Sequence, residues 1–553
     1  MPDIPPALTD TGHIHEVAII GAGPGGITAA HLLRRNGIED FVILERAGDV
    51  GGTWRDNHYP GLAVDIPSLW YQFPFARDPN WSRLFASGPE IHRYLRDVAD
   101  REGVYPHLQT DTEVVRQVWD DDHAVWRLEI ADGRVVRARF LISAVGGYVN
   151  AKPDVPIDGI DDFGGRVMRP NDWDDSYDVG GKRVALIGTG SSGVQIAGAL
   201  AGVAGQLDVY QRTPAWVLPK IDFEMSPRMR TVLKVPGVLP AVDAAGRWMM
   251  DLLLVAPICH LLSRLSERTL KRVMPAYDAY CRTLYRGLLR ATVRDKSVRR
   301  KLLPRYGILA KRPVISSAFL PIFNRSDTAL VTTPIDRITA TGVRTTDGID
   351  HPVDLIVTAT GYQLWTDPET YRPGTIIGRG GFDLAVHYRT HGLQSYAGSA
   401  HPGLPNRWEL VGPVGFVGFA WFDYLQTVTT HAVRVIVETR RRGAAAAEVT
   451  PAAFDERNRK LERQGRAMRL YFTECNPGLN TYFVNSLGQA VYYRPETIAA
   501  SRRFSRASPL ADYAFTAGAF TAGAFTAGAF TSGAVTAGAF TPEPAQTTRE
   551  VSA

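Results

Sequence analysis

Two glycine-rich loops hold the residue types best suited to chemistry: "GAGPGG" at Gly21–Gly26 and "GTGSSG" at Gly188–Gly193. In the first, Gly21 permits a tight strand-to-helix turn, Gly23 lets main chain approach a pyrophosphate, and Gly26 allows close helix–sheet packing. The phosphate then rests on the helix N-terminus. Gly188, Thr189, Gly190, Ser191, Ser192 and Gly193 repeat that arrangement. Glu45 stands 19 residues after Gly26, and Arg212 stands 19 after Gly193. A carboxylate at this offset accepts both hydroxyls of an adenosine ribose, which disfavours a 2′-phosphate. A guanidinium pairs bidentately with that phosphate, so the second site is expected to take NADPH rather than NADH. Two different dinucleotides on one chain point to a flavoprotein reductase or oxygenase.

The elements that must position these residues are legible around each loop. "EVAIIGAGPGGITAAHLLRRNGIEDFVILER" reads as strand, turn, helix, strand, and "KRVALIGTGSSGVQIAGALAGVAGQLDVYQRT" repeats the grammar. The fold class is therefore α/β with two Rossmann-like domains, a helical insertion and a low-complexity C-terminal tail. The expected division is a loose lead at 1–15, a first domain from 16 to 150, and a linker at 151–180. A second domain comes next at 181–355 with an insertion near 220–305, and the first domain resumes at 356–512. Residues 420–470 read as helical, including an Ala-rich stretch. From 513 to 553 the chain becomes repeats of "AFTAG" and a polar end, which reads as a flexible tail.

Composition bounds the rest. The 553 residues are too many for one core, and 45% hydrophobic with 22% charged is ordinarily globular. Lys and Arg exceed Asp and Glu by 62 − 57 = 5, and nothing suggests a nucleic-acid partner. Thirteen Lys/Arg lie between Arg264 and Arg305, where Arg282, Arg286, Arg290 and Arg294 recur at helical spacing. That face reads as solvated, with an anionic membrane surface or acidic partner as the alternative. Cys259, Cys281 and Cys475 form neither a disulfide framework nor a metal set, consistent with a cytoplasmic location. "LLLVAPICHLL" (252–262) is too short for a membrane span and reads as a buried helix, with peripheral membrane contact as the alternative.

A further run, "GGTWRDNHYPGLAVDIPSLWYQF" (Gly51–Phe73), together with both loops and "FGGRVMRPNDWDD" (Phe163–Asp175), resembles the class B flavin-containing monooxygenases. The match is closest to type I Baeyer–Villiger monooxygenases and covers roughly residues 16–500. The resemblance implies FAD in the first domain, NADPH in the second, O₂ activation as a flavin C4a-peroxide, and oxygen insertion beside the carbonyl of an apolar ketone. It implies that Gly52, Thr53 and Trp54 line FAD, that Asp65 and Tyr71 lie near flavin and nicotinamide, and that Lys311 joins Arg212 and Thr213 on the 2′-phosphate. Arg312, held by Asp65, would face the oxygenating flavin. "ATGY" (359–362) would end a strand of the FAD domain, and 475–482 would help to shape the substrate cavity. Independently of the family, a fixed guanidinium oriented by a carboxylate suits an anionic oxygen adduct.

One position departs from the family. Phe163, Gly165, Trp173 and Asp174 occupy their places in the linker fingerprint, but Arg169 stands where the family has His. Arg supplies hydrogen bonds and bulk but no titration near neutral pH, so coupling of NADPH use to product is the property in question. Gln426 likewise stands where relatives often carry Glu. Three readings are open: a Baeyer–Villiger enzyme, an N- or S-oxygenating or uncoupled relative, and a flavin reductase docking a protein on the basic helix. The ketone and the oligomeric state are not readable.

Overall fold

The computed structural model describes residues 9–517 except 149, 151–156, 253–256, 258–260 and 417–419. Expectations about residues 1–8, Cys259, most of the 252–262 stretch and the tail beyond 517 lie outside the described residues. Two sheets organise the chain. The larger runs Ile376–Ile377, Val114–Asp120, Val125–Ile130, Arg134–Ser143, Thr9–Ile20, Phe41–Leu44, Leu108–Gln109, and Arg407–Glu409 also pairs with Arg134–Ser143. Its central strands are parallel, and their "VAII" and "FVIL" runs are buried on both faces, as a sheet covered by helices requires. Helices Pro24–Arg35 and Trp421–Arg441 pack together over it.

The second sheet is wholly parallel, in the order Thr328–Val331, Gln206–Tyr210, Arg183–Ile187, Leu355–Thr358, Arg166–Met168. Two boundaries differ from expectation as a result. "DLIVT" before "ATGY" completes this second sheet rather than the first, because it pairs on both sides with second-domain strands. The fingerprint is likewise more than a linker, since Arg166–Met168 is the sheet's edge strand. Gly165 precedes it where a Cβ would lie 2.6 Å from the Asp354 carbonyl oxygen, which explains the glycine.

Two further expectations are corrected. The lead is not loose from Thr9 onward: Thr9 and Asp10 pair with Arg134 and Val135, extending the first strand beyond its apolar core. The Ala-rich stretch is not helical. Ala444–Val449 is a strand, because antiparallel pairing with Tyr513–Ala517 overrides alanine's helix preference. The first repeat residues are therefore ordered.

The insertion is helical, with Pro227–Leu233, Val238–Met250 and Glu267–Thr292 as its main described elements. Arg282 departs from the solvated-face reading: its guanidinium donates to the carbonyls of Pro304 and Arg305 at 3.0 Å each. Arg286, Arg290 and Arg294 are exposed. Exposed large apolar side chains concentrate in this insertion, among them Trp248, Leu261, Tyr280 and Leu284. Among the described residues, no helix is long and apolar enough to cross a membrane.

Candidate active site

The two loops are built alike. Gly21 has φ +98° and Gly188 φ +112°, conformations that disfavour a side chain. A Cβ on Gly26 would lie 2.0 Å from the Gly21 carbonyl oxygen, and one on Gly193 would lie 2.1 Å from that of Gly188. Gly23 and Gly190 each begin a helix without a side-chain cap, leaving N–H groups of the first turn for an anion.

The residues at the end of the next strand differ between the two units. Glu45 is buried, and its carboxylate accepts from the Ala22 N–H at 2.8 Å and the Ala47 N–H at 3.0 Å, with Arg55 3.3 Å away. Two carboxylate oxygens offer about four acceptor sites, so room remains for ribose hydroxyls. Arg212 lies exposed at the end of its strand, with half-buried Thr213 beside it. Lys311 is in cation–π contact with Tyr306, whose hydroxyl donates to the Pro214 carbonyl at 2.9 Å. Through Tyr306, Lys311 is thus connected to Pro214, the residue that follows Thr213.

Both loops open on one cavity of ≈480 Å³, whose lining includes Gly23, Glu45, Trp54, Asp65, Ser191 and Arg312. Gly52, at φ +54°, starts the short helix Thr53–Asp56 close against Gly23. The Trp54 indole N–H donates to the Tyr71 hydroxyl at 3.1 Å. Arg312 donates through Nη2 to Asp65 Oδ1 at 2.7 Å, across 247 residues of chain. It is carried in by Val314–Ile315, which pairs with Val217–Leu218 beyond Arg212, and the Val314 N–H donates to the Trp216 carbonyl at 2.8 Å. The Asp65 carboxylate holds the guanidinium pKa well above its ordinary value despite desolvation, so Arg312 stays cationic throughout any working pH.

Around Arg312 stand Tyr148, Tyr482, Tyr492 and Tyr493, all with phenol pKa values raised by burial and therefore protonated. The hydroxyls of Tyr148 and Tyr492 are 3.1 Å apart, and Trp365 and Trp421 pack beside them. Only Tyr482 of this aromatic wall is marked by sequence reasoning; the others come from separate segments with no shared spacing. The density of aromatics in "AVYYRPE" (490–496) is the one local signal. Tyr59 is a second unmarked residue. Its buried hydroxyl donates to Gln195 Oε1 at 3.0 Å and lies 3.3 Å from Ser192, while Gln195 donates to the Ala63 carbonyl. These bonds fasten the "YPGLAVD" loop to the second glycine-loop helix.

The fingerprint lies aside from the cavity lining. Trp173 is buried in the second domain's core, packed with Met168, and half-buried Phe163 packs on that sheet's other face. Asp174 pairs with Arg166 at 2.9 Å, and His58 of the first domain reaches Asp175 at 2.8 Å. The Arg169 carbonyl accepts from the Asp172 N–H at 3.0 Å, closing a turn between strand and Trp173. The Gln426 side-chain oxygen is buried without a hydrogen-bond partner among the described residues.

Residues 18–236 match the family described as pyridine nucleotide-disulphide oxidoreductase. A Baeyer–Villiger monooxygenase of Streptomyces coelicolor is 34% identical, covering 92% of this chain and 94% of its own. A steroid monooxygenase bound to NADP superposes with TM-score 0.77 at 29% identity, covering 92% of this chain and all of the other. OTEMO in complex with FAD and NADP superposes with TM-score 0.77 at 25% identity, covering 91% and 99%. A paired dinucleotide architecture and relatedness along nearly the whole length lead to one conclusion: the chain belongs to the Baeyer–Villiger type of flavoprotein monooxygenases, enzymes that use FAD and NADPH.

Proposed function

We propose that this enzyme carries out Baeyer–Villiger oxidation of an apolar ketone to an ester or lactone, with O₂ as oxygen source. The observation that carries the reading is Arg312, held by Asp65 at 2.7 Å, in the cavity shared by both glycine loops. The cradles fit their cofactors: each has a glycine position that a Cβ would fill and a helix N-terminus without a side-chain cap. Gly21, Gly23 and Gly26 would hold the FAD pyrophosphate and Glu45 its ribose. Gly52, Thr53, Trp54 and Tyr71 would wall the flavin. Gly188 to Gly193 would hold the NADPH pyrophosphate, and Arg212, Thr213 and Lys311 its 2′-phosphate.

When bound, FAD reduced by NADPH would activate O₂, one atom of which passes to the ketone while the other leaves as water. Arg312 then meets the negative charge that develops on a ketone oxygen as its carbonyl is attacked. Because Asp65 fixes the guanidinium beforehand, no reorganisation accompanies that charge, and removing one such donor typically costs about 10²–10³ in rate. Asp65 also keeps a partly buried cation from standing unpaired before substrate arrives. The protonated tyrosines and Trp365 and Trp421 form an apolar wall that excludes water and favours an apolar substrate.

The test is product analysis of FAD-loaded enzyme with NADPH, ¹⁸O₂ and a panel of ketones, amines and sulfides. Ester or lactone carrying one ¹⁸O supports the proposal. N- or S-oxide with no ester reassigns the enzyme to heteroatom oxygenation, and hydrogen peroxide alone with every compound contradicts oxygenation.

A further inference from the structure

At the end of the first strand remote from Gly21, three side chains converge outside the cofactor sites. His13 and His15 stand two residues apart on one strand, so they share a face. Asp40 lies just before the neighbouring strand Phe41–Leu44. His13 Nε2 lies 3.2 Å and His15 Nδ1 3.3 Å from the same oxygen, Asp40 Oδ1. The two rings are perpendicular, with centroids 4.4 Å apart, and all three candidate ligand atoms fall within 4.8 Å of one another. The other carboxylate oxygen, Oδ2, accepts from the Glu16 backbone N–H at 3.1 Å, fixing the carboxylate's orientation.

We propose that His13, His15 and Asp40 form a Zn²⁺-class divalent metal site. Zinc–ligand distances of about 2.0–2.1 Å in tetrahedral geometry place neighbouring ligand atoms about 3.3 Å apart. The two nitrogen–oxygen separations match that edge length and the nitrogen–nitrogen edge is within 4.8 Å, so an ion could replace the shared hydrogen bonds as the two imidazoles close onto it. Two imidazoles and one carboxylate are the ligand types of an open zinc site, with the fourth position left to water. The Glu16 N–H supplies the outer hydrogen bond that orients a metal-binding carboxylate. His13 is exposed at 58%, so the ion has an entry path. Such an ion has a structural task. Pairing of the first strand with Arg134–Ser143 is interrupted between Asp10 and Ile14, and the ion would bind that weak stretch to the adjoining strand. Ile20 lies five positions beyond His15, a span of about 17 Å, so the ion would stand clear of the nucleotide loop.

The experiment uses the full chain without a polyhistidine tag, FAD-loaded and stripped with chelator, then titrated with ZnCl₂ calorimetrically while its melting temperature is tracked. Co²⁺ in place of Zn²⁺ provides a visible ligand-field spectrum. The expected result is saturation at one ion per chain with a raised melting temperature. In His13→Ala, whose side chain is mostly exposed, affinity falls at least about tenfold, as losses around metal ligands typically do, and the melting shift disappears. His15→Ala behaves likewise. Absence of saturable binding below about 100 µM, where a metal would no longer stabilise the chain appreciably, overturns the site. So does equal affinity in His13→Ala and the parent enzyme.

Discussion

The two glycine loops share their main backbone features yet, in the proposed reading, serve different cofactors. Their first glycines share a left-handed backbone, their last glycines are equally crowded, and both helices begin without a side-chain cap. Local loop geometry therefore specifies a dinucleotide but not which one. In the proposed reading the choice lies 19 residues on, where a buried carboxylate tied to Ala22 and Ala47 stands in one unit and an exposed guanidinium in the other. The loops differ also in surroundings. The first is covered by the "GGTW" turn, which Gly52 brings against Gly23, whereas the second meets the first domain through Tyr59, Ser192 and Gln195. This contrast suits one tightly held cofactor and one that exchanges.

The harshest way to break the comparison is to fill the two crowded glycine positions in turn. Gly26→Ala forces a methyl against backbone, costing about 3 kcal/mol or more. Flavin absorbance per chain should collapse, with FAD affinity down about 100-fold. Gly193→Ala should retain full flavin absorbance and lose NADPH binding by a similar factor. Loss of flavin from Gly193→Ala would show that the loops are not independent sites.

Arg212→Ala probes the difference itself. Charge-assisted hydrogen bonds contribute about 1.5–3 kcal/mol, so kcat/KM for NADPH should fall about 10–100-fold. NADH should change by less than about twofold, since it carries no 2′-phosphate for the guanidinium. An equal loss for both nucleotides would remove Arg212 from its role. Tyr59→Phe is the mildest change. It deletes a hydroxyl joining the units at a cost of about 1 kcal/mol, and should raise the KM for NADPH a few-fold while flavin content stays unchanged. Altered flavin content instead would place Tyr59 in the FAD site.

Much of this was legible in sequence where the determinants are local. A strand, a glycine turn and a helix succeed one another directly, so both units and the opposed Glu45 and Arg212 stand out by counting. The Arg312–Asp65 pair joins residues 247 apart, and only family likeness draws them together in advance. The aromatic wall was hidden for the same reason, since Tyr148, Trp365, Trp421 and Tyr492 meet only after folding. Polar Thr9–His15 does not look like strand, and Ala444–Val449 looks like helix; in both, hydrogen bonds to a distant partner decide. Arg169 had marked the fingerprint as altered, yet what surrounds it is an ordinary edge strand and a buried Trp173, so the substitution leaves the second domain's packing in place.

In the proposed reaction, NADPH in one nucleotide site would reduce FAD in the other, and one atom of O₂ would enter the bond beside a carbonyl near Arg312 while the second leaves as water. Arg312→Ala, loaded with FAD and given NADPH, ¹⁸O₂ and a ketone accepted by the parent enzyme, tests that step most directly. NADPH should still bleach the flavin at near the parent rate while ¹⁸O-labelled ester falls by about 10²–10³-fold. Labelled ester at the parent rate would contradict the assignment of Arg312.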